Sequence, residues 1–127
     1  QDYKEAFRWY TLAAERGSLK ARYNLGVMYE NGRGVSQDYK EAFRWYTLAA
    51  ERGYLPAQNN LGVMYYNGKG IIQDNVYAHM WWNIVASTGD DDARTNKKIV
   101  EKKMTKLDIS EAQRLARECV KKNYKGC

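Results

Sequence analysis

Asn24, Asn60 and Asn96 recur at a spacing of 36 residues. An amide side chain both donates and accepts, so a row of three suits the backbone of an extended peptide. A bond from each amide to the next helix or loop would explain the same row, and the residues alone leave both readings open. Lys20, Tyr23, Glu30, Asn59, Tyr66, Thr95 and Lys102 lie in the same segments. Together they describe an aromatic and amide-rich surface with a basic far end, matched to a peptide with an acidic end or a free carboxylate.

Other reactive types are sparse. His79 is the single histidine and takes the place that Phe7 and Phe43 hold 36 residues apart, which reads as a half-buried packing residue rather than a base or ligand. Asp90-Asp91-Asp92 lacks the alternating ligands, turn glycine and distant glutamate of a calcium loop, and three acids suit the positive end of a helix dipole. Gly32-x-Gly34 and Gly68-x-Gly70 follow helical rather than strand patterns, which weakens a phosphate-cradling reading. No serine is paired with a lysine or histidine in a nucleophile motif. No catalytic, metal or cofactor site is assigned, and no cofactor is expected.

Cys119 and Cys127 are the two cysteines. In an unbroken helix they would stand about 12 Å apart, beyond disulfide reach. A reversal at Tyr124-Lys125-Gly126, with the helix ending near Asn123, would permit a staple and imply an oxidising compartment such as a periplasm. Two reduced thiols fit the sequence nearly as well. The compartment stays open, with a periplasmic or secreted location ahead of a cytoplasmic one.

The elements that must position these groups are set by repetition. Residues 1–36 and 37–72 are the same sentence with eight differences: Ser18/Tyr54, Lys20/Pro56, Arg22/Gln58, Tyr23/Asn59, Glu30/Tyr66, Arg33/Lys69, Val35/Ile71 and Ser36/Ile72. A worn third copy starts at Gln73 and keeps Asp74, Ala78, Trp81, Ala86, Gly89, Ala93 and Asn96 in register. A fixed period of this length marks an array in which each unit buries its apolar face against its neighbours. The three pairs at 20/56, 23/59 and 30/66 fall where helical spacing turns them away from the core, which suits distinct partner contacts but equally suits free drift of a solvent face.

Each unit predicts two helices. Asp38-Tyr39-Lys40-Glu41 has the form of a capping box. From it Ala42, Trp45, Tyr46, Ala49 and Ala50 form one apolar stripe that ends at Gly53, giving a helix B over about 38–52. Helix A follows over about 55–67, with Ala57, Leu61, Met64 and Tyr65 on one face and Asn67-Gly68 closing it. The same pair is expected at about 2–16 and 19–31. Gly26 and Gly62 fall inside helix A, where glycine costs about 1 kcal/mol relative to alanine. Close approach of a bulky side chain would offset that, Trp9 or Tyr10 for the first and Trp45 or Tyr46 for the second. The four tryptophans read as core, with Trp82 the one expected to be exposed.

The +6 net charge is uneven: residues 94–127 hold 11 basic and four acidic side chains. The basic residues interleave with apolar ones at helical spacing and carry no nucleic-acid motif, so they read as a solvated helix face, with an anionic polymer or lipid as an alternative partner. No apolar run reaches the roughly 18 residues of a membrane span, so no membrane insertion and no specific nucleic-acid partner are expected. The chain opens inside a repeat and reads as a mature or trimmed piece of a longer protein.

Ala21, Leu25, Gly26, Tyr29, Gly32, Gly34 and Val35, then Asp38, Ala42, Trp45, Tyr46, Ala49, Ala50 and Gly53, recur from Ala57 to Gly89. This pattern resembles the Sel-one-like repeat, a branch of the tetratricopeptide superfamily, and Glu111 to Glu118 is similar to the closing helix of many bacterial members. The resemblance implies an all-α fold, a right-handed α/α superhelix of antiparallel helix pairs with about seven helices. It also implies a non-catalytic scaffold that binds a protein or peptide in the concave groove of its A helices. Related tetratricopeptide domains hold a peptide terminus with asparagine at the matching position. Some cysteine-rich relatives are associated with penicillin binding and β-lactam hydrolysis, but they carry a cysteine pair in each repeat and the first two repeats here have none.

The expected organisation is one domain over 1–127: repeats at 1–36 and 37–72, a degenerate capping repeat at 73–105, and a capping helix and tail at 106–127. In the third unit Lys97, Lys98 and Glu101 replace the leucine, glycine and tyrosine of helix A, leaving Ile99, Val100, Met104 and Leu107 as a narrower stripe. The last helix, about 106–122, would cover the end of the array with Ile109, Ala112, Leu115, Ala116, Cys119 and Val120. The first helix lacks a preceding partner, which predicts self-association through that edge.

Overall fold

The computed structural model describes residues 2–127. They form α1 (Tyr3–Glu15), α2 (Leu19–Asn31), α3 (Tyr39–Ala50), α4 (Leu55–Asn67), α5 (Asn75–Ala86), α6 (Asp91–Glu101) and α7 (Lys106–Lys121), with no strand among the described residues. Helices α2, α4 and α6 are of the A type and α1, α3 and α5 of the B type. The array is a right-handed helical solenoid, in which α1 to α5 each pack on the next helix in sequence.

Caps start these helices. The Asp2 carboxylate accepts from the Lys4 and Glu5 amides at 3.0 and 3.1 Å, and Asp38 accepts from Glu41 at 3.1 Å, satisfying amides that have no partner within the helix. The glutamate half of the expected capping box does not form. Glu5 instead accepts from Arg8 and Trp9, and Glu41 from Arg44. At α4, Tyr54 replaces the capping Ser18 and makes no side-chain cap, while Pro56 enters the first turn, where its missing N–H leaves no donor to satisfy.

The glycines in the A helices face the B helix that follows, not the one before. A Cβ at Gly26 would lie 2.5 Å from Tyr46 Cε1, and one at Gly62 2.6 Å from Trp82 Nε1. The expected reason, close approach of a large ring, therefore holds with partners one repeat further on. Trp82 is packed into this contact and is only 3% exposed, whereas Trp9 is 60% exposed. The expectation of an exposed Trp82 is corrected on both counts.

In the first two repeats an edge-to-face aromatic pair joins each B helix to the next A helix: Phe7 with Tyr29 and Phe43 with Tyr65, ring centroids 5.6 Å apart in both. The third repeat replaces both members. His79 is fully buried, not half-buried, and its Nε2 lies 2.7 Å from the Glu101 carboxylate. A polar pair thus fills the space of an aromatic one, and Glu101, whose charge reads as a break in helix A, is what makes the buried histidine tolerable.

The closing helix sits elsewhere than expected. It packs on α5 rather than over the end formed by α6. On α3 the corresponding face carries the Arg44–Glu41 ion pair, whereas α5 has Tyr77, Met80 and Ile84 at the places of Glu41, Arg44 and Leu48. Ala116 and Cys119 join Met80 and Ile84 in one apolar cluster, with Tyr77, Leu115 and Tyr124 beside it. Ala112 is buried too, but Val120 is 48% exposed. Of the narrower stripe, Val100 is buried and Met104 packs beside it, while Ile99 and Leu107 face solvent.

A disulfide joins Cys119 to Cys127, Cα atoms 5.6 Å apart. The chain reverses through Asn123 and Tyr124, both at positive φ, and the Tyr124 amide donates to the Cys119 carbonyl at 2.9 Å. A side chain at Gly53 would meet the Tyr124 ring at 3.5 Å. The tail therefore folds back onto the turn between α3 and α4.

Candidate functional site

The A helices divide the expected surface residues into two groups. Lys20, Thr95 and Lys102 are exposed, and Asn24, Asn59, Asn60, Tyr66 and Asn96 are half-buried. Tyr23 and Glu30 are half-buried too and make contacts with neighbouring helices. The Tyr23 ring lies 5.7 Å from both Tyr46 and Tyr54, and Glu30 accepts a 2.7 Å hydrogen bond from the Tyr46 hydroxyl.

Tyr46 organises this region. Its ring crosses the bare backbone at Gly26, which brings its hydroxyl to Glu30 on α2. Burial, reinforced by the Glu30 carboxylate, holds the phenol protonated far above its ordinary range, with Asn60 pulling the other way. The other polar groups of these helices settle locally: Asn31 donates to the Val27 carbonyl at 3.0 Å and Gln58 to the Ala50 carbonyl at 3.1 Å. Asn59 keeps a buried carbonyl oxygen without a partner among the described residues, shut away from solvent.

One repeat further on, Trp82 crosses Gly62 and meets Tyr66, ring centroids 5.6 Å apart. Lys103 Nζ lies 4.8 Å from the centre of the Tyr66 ring, a distance at which a cation is attracted to the π face. The basic end of the surface therefore rests on Lys103 as well as Lys102. Sequence reasoning did not single out Lys103, because its contact with Tyr66 runs from the turn after α6 to α4, which no local spacing relates.

Elsewhere the reactive groups have structural tasks. Asp90 caps α6 by accepting from the Ala93 amide at 2.8 Å, and Asp91 pairs with Arg94 at 2.6 Å. A Cβ at Gly34 would fall against the Tyr3 carbonyl, and one at Gly70 at 2.5 Å from that of Tyr39, so these glycines let the repeat turn lie on the preceding B helix. Among the described residues no three His, Cys, Asp or Glu side chains are grouped to hold a metal ion, and no helix is long and apolar enough to cross a membrane.

The Sel1 repeat family model matches residues 1–18, 19–54 and 55–90. Its units run helix A then helix B, half a repeat out of phase with a division at 36 and 72. No curated protein matches the chain. Among solved structures, c5321 of uropathogenic Escherichia coli, a protective antigen displaying an SLR fold, is 32% identical with a TM-score of 0.92 over 98% of this chain. The chain spans only 27% of the length of that protein. A Sel1 repeat protein from Oxalobacter formigenes is 40% identical with a TM-score of 0.70, covering 74% of this chain and 71% of that one. Proteins of this type generally mediate protein–protein interactions and are typically non-catalytic scaffolds. With its repeat signature matched from 1 to 90 and its helix pairs stacked at that period, the chain belongs to the Sel1 repeat family.

Proposed function

We propose that this chain is a non-catalytic adaptor that binds an extended segment of another protein across the solvent face of α2, α4 and α6. The observation that carries this reading is the amide row. Asn24, Asn60 and Asn96 stand one to each A helix, all half-buried, and the hydrogen bonds of the described residues leave Asn24 and Asn96 uncommitted. An extended backbone offers alternating donors and acceptors that such amides match. Lys20 at one end and Lys102 and Lys103 at the other would favour an acidic segment. The Cys119–Cys127 bond supports an oxidising location, periplasmic or secreted.

A peptide selected from a display library against the parent chain tests this. Its affinity should fall by about tenfold or more when Asn24→Ala, Asn60→Ala and Asn96→Ala are combined, from the loss of hydrogen bonds worth about 1 kcal/mol each. The variant must first show the parent's thermal unfolding. Equal affinity for the two proteins would remove the A-helix face from consideration.

A further inference from the structure

The seat of α7 creates a groove with no counterpart in the earlier repeats. Between α5 and α7 lies a depression of about 380 Å³. Its floor is formed by Ile84 and Ala116, both buried, and its wall by Val120, which stays exposed. Arg117 and Lys121 border the same depression, each one residue after an apolar one, so a cationic stripe runs beside an apolar stripe along α7 at the helical spacing of four. Neither cation makes an ion pair among the described residues, although Arg8, Arg44, Arg94 and Arg114 each pair with an acid three residues away. Glu118 lines a separate recess with Tyr77 and Lys122. The repeat adds a second observation. Where α5 has Ser87 at this groove, the first two copies have Glu15 and Glu51, so the third copy lacks an acid at the place where α7 brings two cations.

We propose that this groove binds a fatty-acid anion, its alkyl chain along Ile84, Ala116 and Val120 and its carboxylate at Arg117 and Lys121. The guanidinium fork matches a carboxylate and the ammonium adds a second charged donor. Asn83, also in the lining, completes the donor set. Its carbonyl oxygen accepts from Lys97 Nζ at 3.4 Å, which leaves its NH2 group to donate. The end of α5 does not oppose a negative charge there, because the Ser87 hydroxyl donates to the Ile84 carbonyl at 2.6 Å and the Thr88 hydroxyl to the Val85 carbonyl at 2.7 Å.

The balance of donors and acceptors selects this ligand over a peptide terminus, which carries the same carboxylate. The lining offers apolar surface, cations and an amide donor but no acidic side chain, and the Asn83 and Ile84 carbonyls are already engaged. A peptide would bring its own N–H groups into the groove and leave them without acceptors, which costs binding energy. An alkyl carboxylate brings acceptors only. The proposal is independent of the amide row, because it concerns the groove between α5 and α7 and not the face of α2, α4 and α6.

The test titrates octanoate into the intact chain and follows the methyl signals of Ile84 and Val120 by NMR. Both should shift and saturate. Each buried methylene contributes about fourfold in affinity, so butanoate should bind about tenfold or more weakly than octanoate, and octanol, which keeps the chain without the charge, should be weaker by a similar factor. Arg117→Ala combined with Lys121→Ala should lower octanoate affinity about tenfold. Ser87→Glu restores the acid of the earlier copies and should do the same by placing a like charge beside the carboxylate, whereas Ser87→Gln should bind as the parent does. Glu51 already occupies the equivalent cap of α3, so a glutamate at 87 suits the fold, and the parent's thermal unfolding in each variant checks this. Unmoved Ile84 and Val120 signals, equal affinity for octanol, or equal octanoate affinity in the parent and Ser87→Glu would overturn the proposal. So would a short peptide with a free C-terminal leucine that displaces octanoate and binds more tightly, which would identify a peptide terminus as the occupant.

Discussion

Gly62→Ala adds one methyl group to a helix interior, and the sign of its effect is set by a single neighbour. The new Cβ would lie 2.6 Å from Trp82 Nε1 and 2.7 Å from Cδ1. Ordinary contact needs about 3.4 Å or more, so the indole must retreat by roughly 0.8 Å. That ring is 3% exposed and is packed among Ala78, Val85, Ala93 and Val100, which gives it little room. Overpacking of this kind costs about 1–3 kcal/mol, while replacing a helical glycine by alanine returns about 1 kcal/mol. The net expectation is a loss of about 1 kcal/mol. Gly62→Leu drives further carbons into the same ring and should lose about 3 kcal/mol or more.

A second background isolates the cause. With Trp82→Leu the obstruction is gone, and Gly62→Ala should then stabilise by about 1 kcal/mol through helix propensity alone. Urea unfolding followed by circular dichroism, with unchanged m-values, gives all four stabilities of the cycle. A change of sign between the two backgrounds is the expected result. If Gly62→Ala has the same effect with and without the indole, ring approach does not explain the glycine. Gly26→Ala against Tyr46→Leu should behave in the same way, since that Cβ would stand 2.5 Å from the tyrosine ring.

The buried His79–Glu101 pair should give a second cycle: His79→Phe and Glu101→Tyr each cost about 1–3 kcal/mol alone, by leaving a polar group without its partner, and the double variant recovers most of the loss by restoring the aromatic pair of the earlier repeats. Urea midpoints of the four proteins check this. Reduction of Cys119–Cys127, or Cys127→Ser, opens a loop of about eight residues and should cost about 2.5 kcal/mol; melting with and without reductant is the measurement. The Tyr46 phenol titrates higher in the folded than in the unfolded chain, so its contribution is complete below about pH 10 and is lost as pH rises beyond it, by up to about 1.4 kcal/mol per unit. Tyr46→Phe should flatten the alkaline fall in urea midpoint, and an unaltered slope would assign that fall to other tyrosines such as Tyr65, which burial also raises.

Helix positions were readable because their signals are local. An aspartate before each B helix and a left-handed glycine after α2 and α4 mark the ends, and the structure moves the expected bounds by at most two residues. The seat of α7 was not read, although its cause is written in the chain. It becomes visible only when the third copy is laid on the second and Glu41, Arg44 and Leu48 are seen to become Tyr77, Met80 and Ile84. Those exchanges turn a solvated face into a receiving one. The His79–Glu101 pair is hidden for a related reason. Each residue taken singly looks like decay of the repeat, and only the two substitutions together conserve the contact.

The same logic reassigns the differences between the first two copies. Pairs 23/59 and 30/66 read equally as partner contacts or as drift on a solvent face, because helical spacing turns them away from their own helix's stripe. In the fold, Tyr23 and Glu30 meet Tyr46, and Tyr66 meets Trp82, so the 30/66 exchange follows the identity of the ring delivered by the next B helix. A tyrosine brings a hydroxyl and selects a carboxylate. An indole at the same place selects a second ring. Of the three pairs, 20/56 alone lies on exposed positions in both copies. Variation between repeats therefore marks contacts across the helix stack at least as well as it marks contacts with a partner. The invariant amides at 24, 60 and 96, half-buried in every copy, are for that reason better candidates for a shared partner contact than the residues that change around them.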